Sequence, residues 1–99
     1  MVYYAGPCPP QPGQVFNSNG PTTAARMDPF VEMMFKLGVV AFLGKGDRAP
    51  YVADLCKKYG GVSLLGVGGA SAINAARIKS AEVVLYPELG TESIKKVIL

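Results

Sequence analysis

The chain has 99 residues, 49% of them hydrophobic and 17% charged, with ten Lys plus Arg against seven Asp plus Glu for a formal net charge of +3. That balance describes a folded domain with a modest core rather than a disordered segment. It holds no histidine, which removes His-built zinc sites and His-based triads, and its basic residues are scattered instead of gathered into the stripe that nucleic-acid binding needs.

In chain order, Val2–Ala5 is a short β-favouring run closed by Gly6-Pro7. A Pro/Gly/Asn-rich connection follows from Cys8 to Gly20, too broken for helix or strand and long enough to carry function. Asp28-Pro29 reads as a helix start, with Asp28 capping free N–H groups and Pro29 in the first turn. Phe30, Val31, Met34, Phe35 and Leu37 then form an apolar stripe that Gly38 ends. Val39–Leu43 predicts a buried strand and, as the longest apolar run, falls far short of a bilayer span, so no membrane partner is expected.

A second helix is predicted over Pro50–Tyr59, with Val52, Leu55, Cys56 and Tyr59 on one face and Gly60-Gly61 as its stop. Val62–Val67 reads as a strand, Ala70–Ile78 as a small-residue helix, Ala81–Tyr86 as a strand and Glu92–Ile98 as an amphipathic stretch. This alternation predicts an α/β domain over residues 1–99 with a mostly parallel sheet. The first residues lack the basic-then-apolar profile of a secretory signal, so a cytoplasmic, reducing compartment is expected, with Cys8 and Cys56 as free thiols.

The chemistry concentrates in Gly20-Pro21-Thr22-Thr23-Ala24-Ala25-Arg26-Met27-Asp28. Thr22 and Thr23 bring hydroxyls, Arg26 brings a planar fork suited to a carboxylate, and the approach to a helix leaves backbone N–H groups for an anion. The same residues also make an ordinary capped turn with a solvated arginine. Lys45, between Gly44 and Gly46 just past a strand, stands where open α/β sheets bind ligands, and equally suits an exposed turn. Gly66-Val67-Gly68-Gly69-Ala70-Ser71, with Glu88 downstream, partly matches a dinucleotide fingerprint, while close packing of helix on strand explains the same glycines.

Tyr3 to Pro7, Gly20 to Asp28, Gly44 to Gly46, Gly68-Gly69-Ala70 and Glu88-Leu89-Gly90 together resemble the beta-type region of class I fumarases, the iron–sulfur hydro-lyases that interconvert fumarate and malate. The likeness runs nearly end to end and leans away from the similar tartrate dehydratases, where Glu tends to stand at the position of Asp28. It implies a swivelling β/β/α domain that closes over a [4Fe–4S] cluster held by cysteines of an alpha subunit, and a chain inactive without that partner. It further implies Thr22 as the catalytic, proton-abstracting residue, with Thr23, Arg26 and Lys45 as contacts to the dicarboxylate substrate. Ala24 stands where the family usually has Ser. The family's upstream histidine-containing segment and final strands are not seen in these residues, which suggests a fragment or a reduced form with sheet edges open to a partner.

Overall fold

The computed structural model describes residues 1–99. In chain order its elements are β1 (Val2–Tyr3), β2 (Ala5–Pro7), β3 (Asn19–Pro21), a 3-10 segment Ala25–Phe30, α1 (Val31–Lys36), β4 (Ala41–Gly44), α2 (Pro50–Tyr59), β5 (Val62–Leu65), α3 (Ser71–Ala76), β6 (Ser80–Leu85), a 3-10 segment Pro87–Glu92 and β7 (Ile94–Ile98). The fold is α/β. Its contacts group into two compact units, Met1–Tyr4 with Pro21–Val67, and Ala5–Gly20 with Gly68–Leu99.

In the first unit, β1, β4 and β5 form a parallel sheet in the order β1-β4-β5, with Val2 opposite Phe42 and Leu43 opposite Leu64. Strand β4 is the middle one, and its alternation buries Phe42 and Gly44. Phe42, Val31, Phe35 and Val52 make the core. The Phe35 ring meets Phe42 edge-on at 5.2 Å between centroids and lies stacked on Tyr59 at 5.2 Å. Helix α2 has the expected bounds because both its signals are local: Pro50 is pre-set for the first turn, and Gly60 takes the left-handed conformation (φ +69°) that ends it. Leu55, Cys56 and Tyr59 pack on the core beside Val52, as the apolar spacing requires.

The helix expected to start under an Asp28 cap is built differently. Residues Ala25–Phe30 wind as 3-10, α1 begins only at Val31, and neither start carries a side-chain cap. The Asp28 carboxylate is taken by Arg48 and by the N–H of Ala49 and is not free to cap its own segment. Of the expected stripe, Val31 and Phe35 are buried and Met34 packs on the core, whereas Phe30 and Leu37 are exposed. Pairing in the sheet begins at Ala41 rather than Val39 and ends at Leu65 rather than Val67.

In the second unit, β6 and β7 pair antiparallel, Ser80 facing Ile98 and Glu82 facing Lys96, with an irregularity between Val83 and Leu85. The parallel expectation yields here because the link between them is too short for a crossover. Phe16, Ala75 and Ile78 form a small core to which Val15, Ala81 and Val97 add. Phe16 anchors the Cys8–Gly20 connection, which ends in β3, paired with β2. No helix is long and apolar enough to cross a membrane.

Candidate functional site

All four residues singled out, Thr22 as the catalytic residue and Thr23, Arg26 and Lys45 as the substrate grip, lie in the first unit, beyond the carboxyl ends of β1 and β4. The chain approaches along Tyr4, whose carbonyl accepts the Thr22 N–H at 2.8 Å, while the Tyr4 N–H is held by Leu43 at 2.8 Å. The Thr22–Ala24 segment then runs beside the end of β4: the Lys45 N–H donates to the Thr22 carbonyl at 2.9 Å and the Ala24 N–H to the Lys45 carbonyl at 3.0 Å. Thr23 and Lys45 form a parallel bridge by these bonds.

Gly44 makes this approach possible. A Cβ at Gly44 would lie 2.8 Å from the Ala24 Cβ, 3.2 Å from the Tyr4 ring and 3.3 Å from the Thr22 carbonyl oxygen. The space is already filled by Ala24, itself buried at 3% exposure, which explains a small apolar residue there. Of the N–H groups expected to face an anion, that of Thr22 is spent on the Tyr4 carbonyl and that of Ala24 on the Lys45 carbonyl.

Arg26, in the first turn of the 3-10 segment, donates from Nη2 to the hydroxyl oxygen of Thr22, four residues earlier, at 2.9 Å. A cation donating to that oxygen favours its ionised form, which a bare threonine hydroxyl does not reach at neutral pH. Thr23, Arg26 and Lys45 are exposed and Thr22 half-buried, so the guanidinium and the Lys45 turn are accessible to a small anion. Thr22 and Arg26 are thus in contact, and Thr23 and Lys45 are neighbours through their backbones.

Beneath the turn sits a pair that the sequence did not disclose. Arg48 Nε donates to Asp28 Oδ1 at 2.7 Å, both side chains nearly buried, and Asp28 Oδ2 accepts the Ala49 N–H at 2.9 Å. Asp28 thereby satisfies a donor at the start of α2, across the unit from its own segment. The Arg48 guanidinium also lies 5.5 Å from the Tyr4 ring centroid and 5.6 Å from that of Phe42, with Nη1 3.4 Å from the Ser63 hydroxyl. Burial opposes the Arg48 charge, but hydrogen bonding to Asp28 and the pull of its carboxylate help outweigh that cost, and the guanidinium pKa is raised. A signal was present, since Arg48 follows Lys45-Gly46 and precedes a helix start, but its partner lies too far back along the chain for spacing rules to find.

Within the glycine-rich stretch, Gly66 is small for a packing reason. Gly66 donates to the Gly44 carbonyl at 2.6 Å, and a Cβ there would press on the Pro21 ring at 3.0 Å. Its smallness serves the packing of chain against chain, not helix on strand, and the following helix has only six residues. As for metal chemistry, the two cysteines are free thiols, and no group of three or more His, Cys, Asp or Glu side chains is positioned to hold an ion. Two thiols do not make the ligand set of an iron–sulfur cluster, so this chain's residues do not fit the role of holding one.

A family model described as Fumarase C-terminus matches residues 1–99. The aerobic class I fumarate hydratase of Escherichia coli (strain K12) is 47% identical over 98 residues, covering 97% of this chain and 18% of that protein. Fumarate hydratase 2 of Leishmania major is 43% identical over 98 residues, covering 97% and 17%. The beta subunit of the L(+)-tartrate dehydratase of Escherichia coli (strain K12) is 30% identical over 92 residues, covering 90% of this chain and 46% of that subunit. The chain thus spans about a fifth of the length of these fumarate hydratases.

Proposed function

The chain belongs to the Fumarase C-terminus family, and from that premise we propose that it is the beta-type part of a class I fumarate hydratase, catalysing the reversible hydration of fumarate to L-malate together with an alpha subunit. The observation that carries the proposal is the 2.9 Å bond from Arg26 to the Thr22 hydroxyl oxygen, made on a turn whose neighbour Thr23 is bridged to Lys45. Greater identity to fumarate hydratases than to the tartrate subunit favours fumarate and malate as the diacid pair.

In this reading Thr22, as the alkoxide stabilised by Arg26, takes the proton from the malate carbon next to a carboxylate. The electron pair left behind forms the double bond of fumarate as hydroxide leaves the neighbouring carbon. Thr23, Arg26 and Lys45 hold the substrate carboxylates, and the two cations also stabilise the negative charge that builds up as the proton departs. A [4Fe–4S] cluster would be held by the alpha subunit and not by this chain, and would supply Lewis-acid chemistry from there. Free thiols at Cys8 and Cys56 accord with a cytoplasmic setting.

The test is anaerobic mixing of this chain with a cluster-loaded class I alpha subunit, following fumarate formation from malate. The mixture should turn over, and the chain alone and the Thr22→Ala mixture should not. A stable complex of the unaltered chain without turnover would overturn the assignment.

A further inference from the structure

We propose that Asp28 and Arg48 are positioning residues: their ion pair clamps the Lys45 turn to the Thr22–Arg26 turn, so that Arg26 is held on the Thr22 hydroxyl and Lys45 beside Thr23 before substrate arrives. The inference rests on the hydratase reading for its consequence but on geometry for its substance.

Arg48 closes the turn that begins with Lys45-Gly46, and it reaches the other turn by two routes. Its Nε bond to Asp28 fastens it to the segment two residues beyond Arg26. Its guanidinium over the Tyr4 ring fastens it to the residue whose carbonyl receives the Thr22 N–H. A third contact, to Ser63, ties it to β5. Between those anchors, only two backbone bonds hold Lys45 beside the Thr22–Ala24 segment, and both lie at the exposed end of β4, beyond its last sheet pairing.

Arg48 Nη2 is buried and has no partner, although a guanidinium ordinarily finds acceptors for such a group. Nη2 is the one nitrogen of the guanidinium left without an acceptor, while Nε and Nη1 are bonded to Asp28 and Ser63. Its Nε, ring and Ser63 contacts hold it in one orientation, and that orientation points its bonding edge at the Asp28 segment. A lysine would keep the charge but lose the planar fork and the stacking on the two rings.

The test uses the complex with the cluster-bearing alpha subunit and the substitutions Arg48→Lys and Asp28→Asn. A misplacement of catalytic groups of about 1 Å costs up to roughly a hundredfold in rate, so kcat should fall at least about tenfold per folded complex while KM moves less than about threefold. Amide exchange at Ala24 and Lys45 should quicken at least about tenfold, while Val62, bonded to Val40 at the other end of the sheet, stays protected. A purely structural pair would lower the melting temperature and leave kcat per folded complex and the local exchange unchanged; that result in either variant overturns the proposal. Wild-type complex without turnover, but with the same selective loss of protection in the variants, would overturn the hydratase reading and keep the clamp.

Discussion

Gly61 lies against the edge of the Phe35 ring: a Cβ there would fall 2.7 Å from Phe35 Cζ and 3.0 Å from the Val40 carbonyl oxygen. Phe35 cannot swing aside, because it is held edge-on by Phe42 and face-on by Tyr59. Gly61→Ala should therefore destabilise the first unit by about 1–3 kcal/mol, the usual cost of overpacking a filled core. Chemical denaturation should show a lowered midpoint with an unchanged slope.

Gly44 and Ala24 oppose each other across the bridge that brings Thr23 to Lys45, so their substitutions should couple. Gly44→Ala should cost stability and turnover together, since it pushes the Thr22–Ala24 segment off the end of β4. Adding Ala24→Gly removes the Cβ in its way and should restore part of both. A double-mutant cycle on melting and malate turnover should give a coupling of about 0.5–3 kcal/mol; additive effects would show that the two sites do not share this space.

Arg26→Ala should separate activity from stability. The side chain is exposed and its bond to Thr22 lies at the surface, so the fold should lose no more than about 0.5 kcal/mol. Turnover of malate in the complex should fall about a hundred- to a thousandfold, the range seen when one donor to a developing charge is removed. Thermal melts beside steady-state kinetics check both halves.

Glu32 gives the fold an acid-sensitive joint. The Tyr59 hydroxyl donates to its carboxylate at 2.9 Å, and chiefly through that bond, with Lys36 and Lys58 nearby, its pKa is lowered. A carboxylate with a folded pKa below its unfolded one adds stability that is full above the unfolded value and is lost as pH falls through the folded one. Tyr59→Phe and Glu32→Gln should each shrink the difference in denaturation midpoint between pH 7 and pH 3. The exposure of Glu32 makes the effect small.

What could be read in advance was what is written locally. Pro50 and Gly60 announced both ends of α2, and the spacing of Val52, Leu55, Cys56 and Tyr59 announced its buried face. The motif singled out Thr22 and Arg26, whereas the contact between them waited on the fold. Asp28 misled, because its partners Arg48 and Ala49 come much later and a tertiary ion pair outbid the local cap. The antiparallel pairing of β6 with β7 was hidden for another reason: Glu92–Ile98 reads as an amphipathic stretch, and nothing local in it names the direction of its partner strand.

The rung joining Thr23 to Lys45 also shapes how this protein can vary. The two residues stand far apart along the chain and side by side in space. A loop lengthened between α1 and β4 leaves that rung alone, since closing a longer detour costs little. A single residue lost inside Ala41–Lys45 does not, because each step along a strand reverses the side from which the next side chain projects, and Lys45 would project from the opposite side of the strand. Lineages of this domain can therefore grow in their connections while the length of one short strand stays frozen.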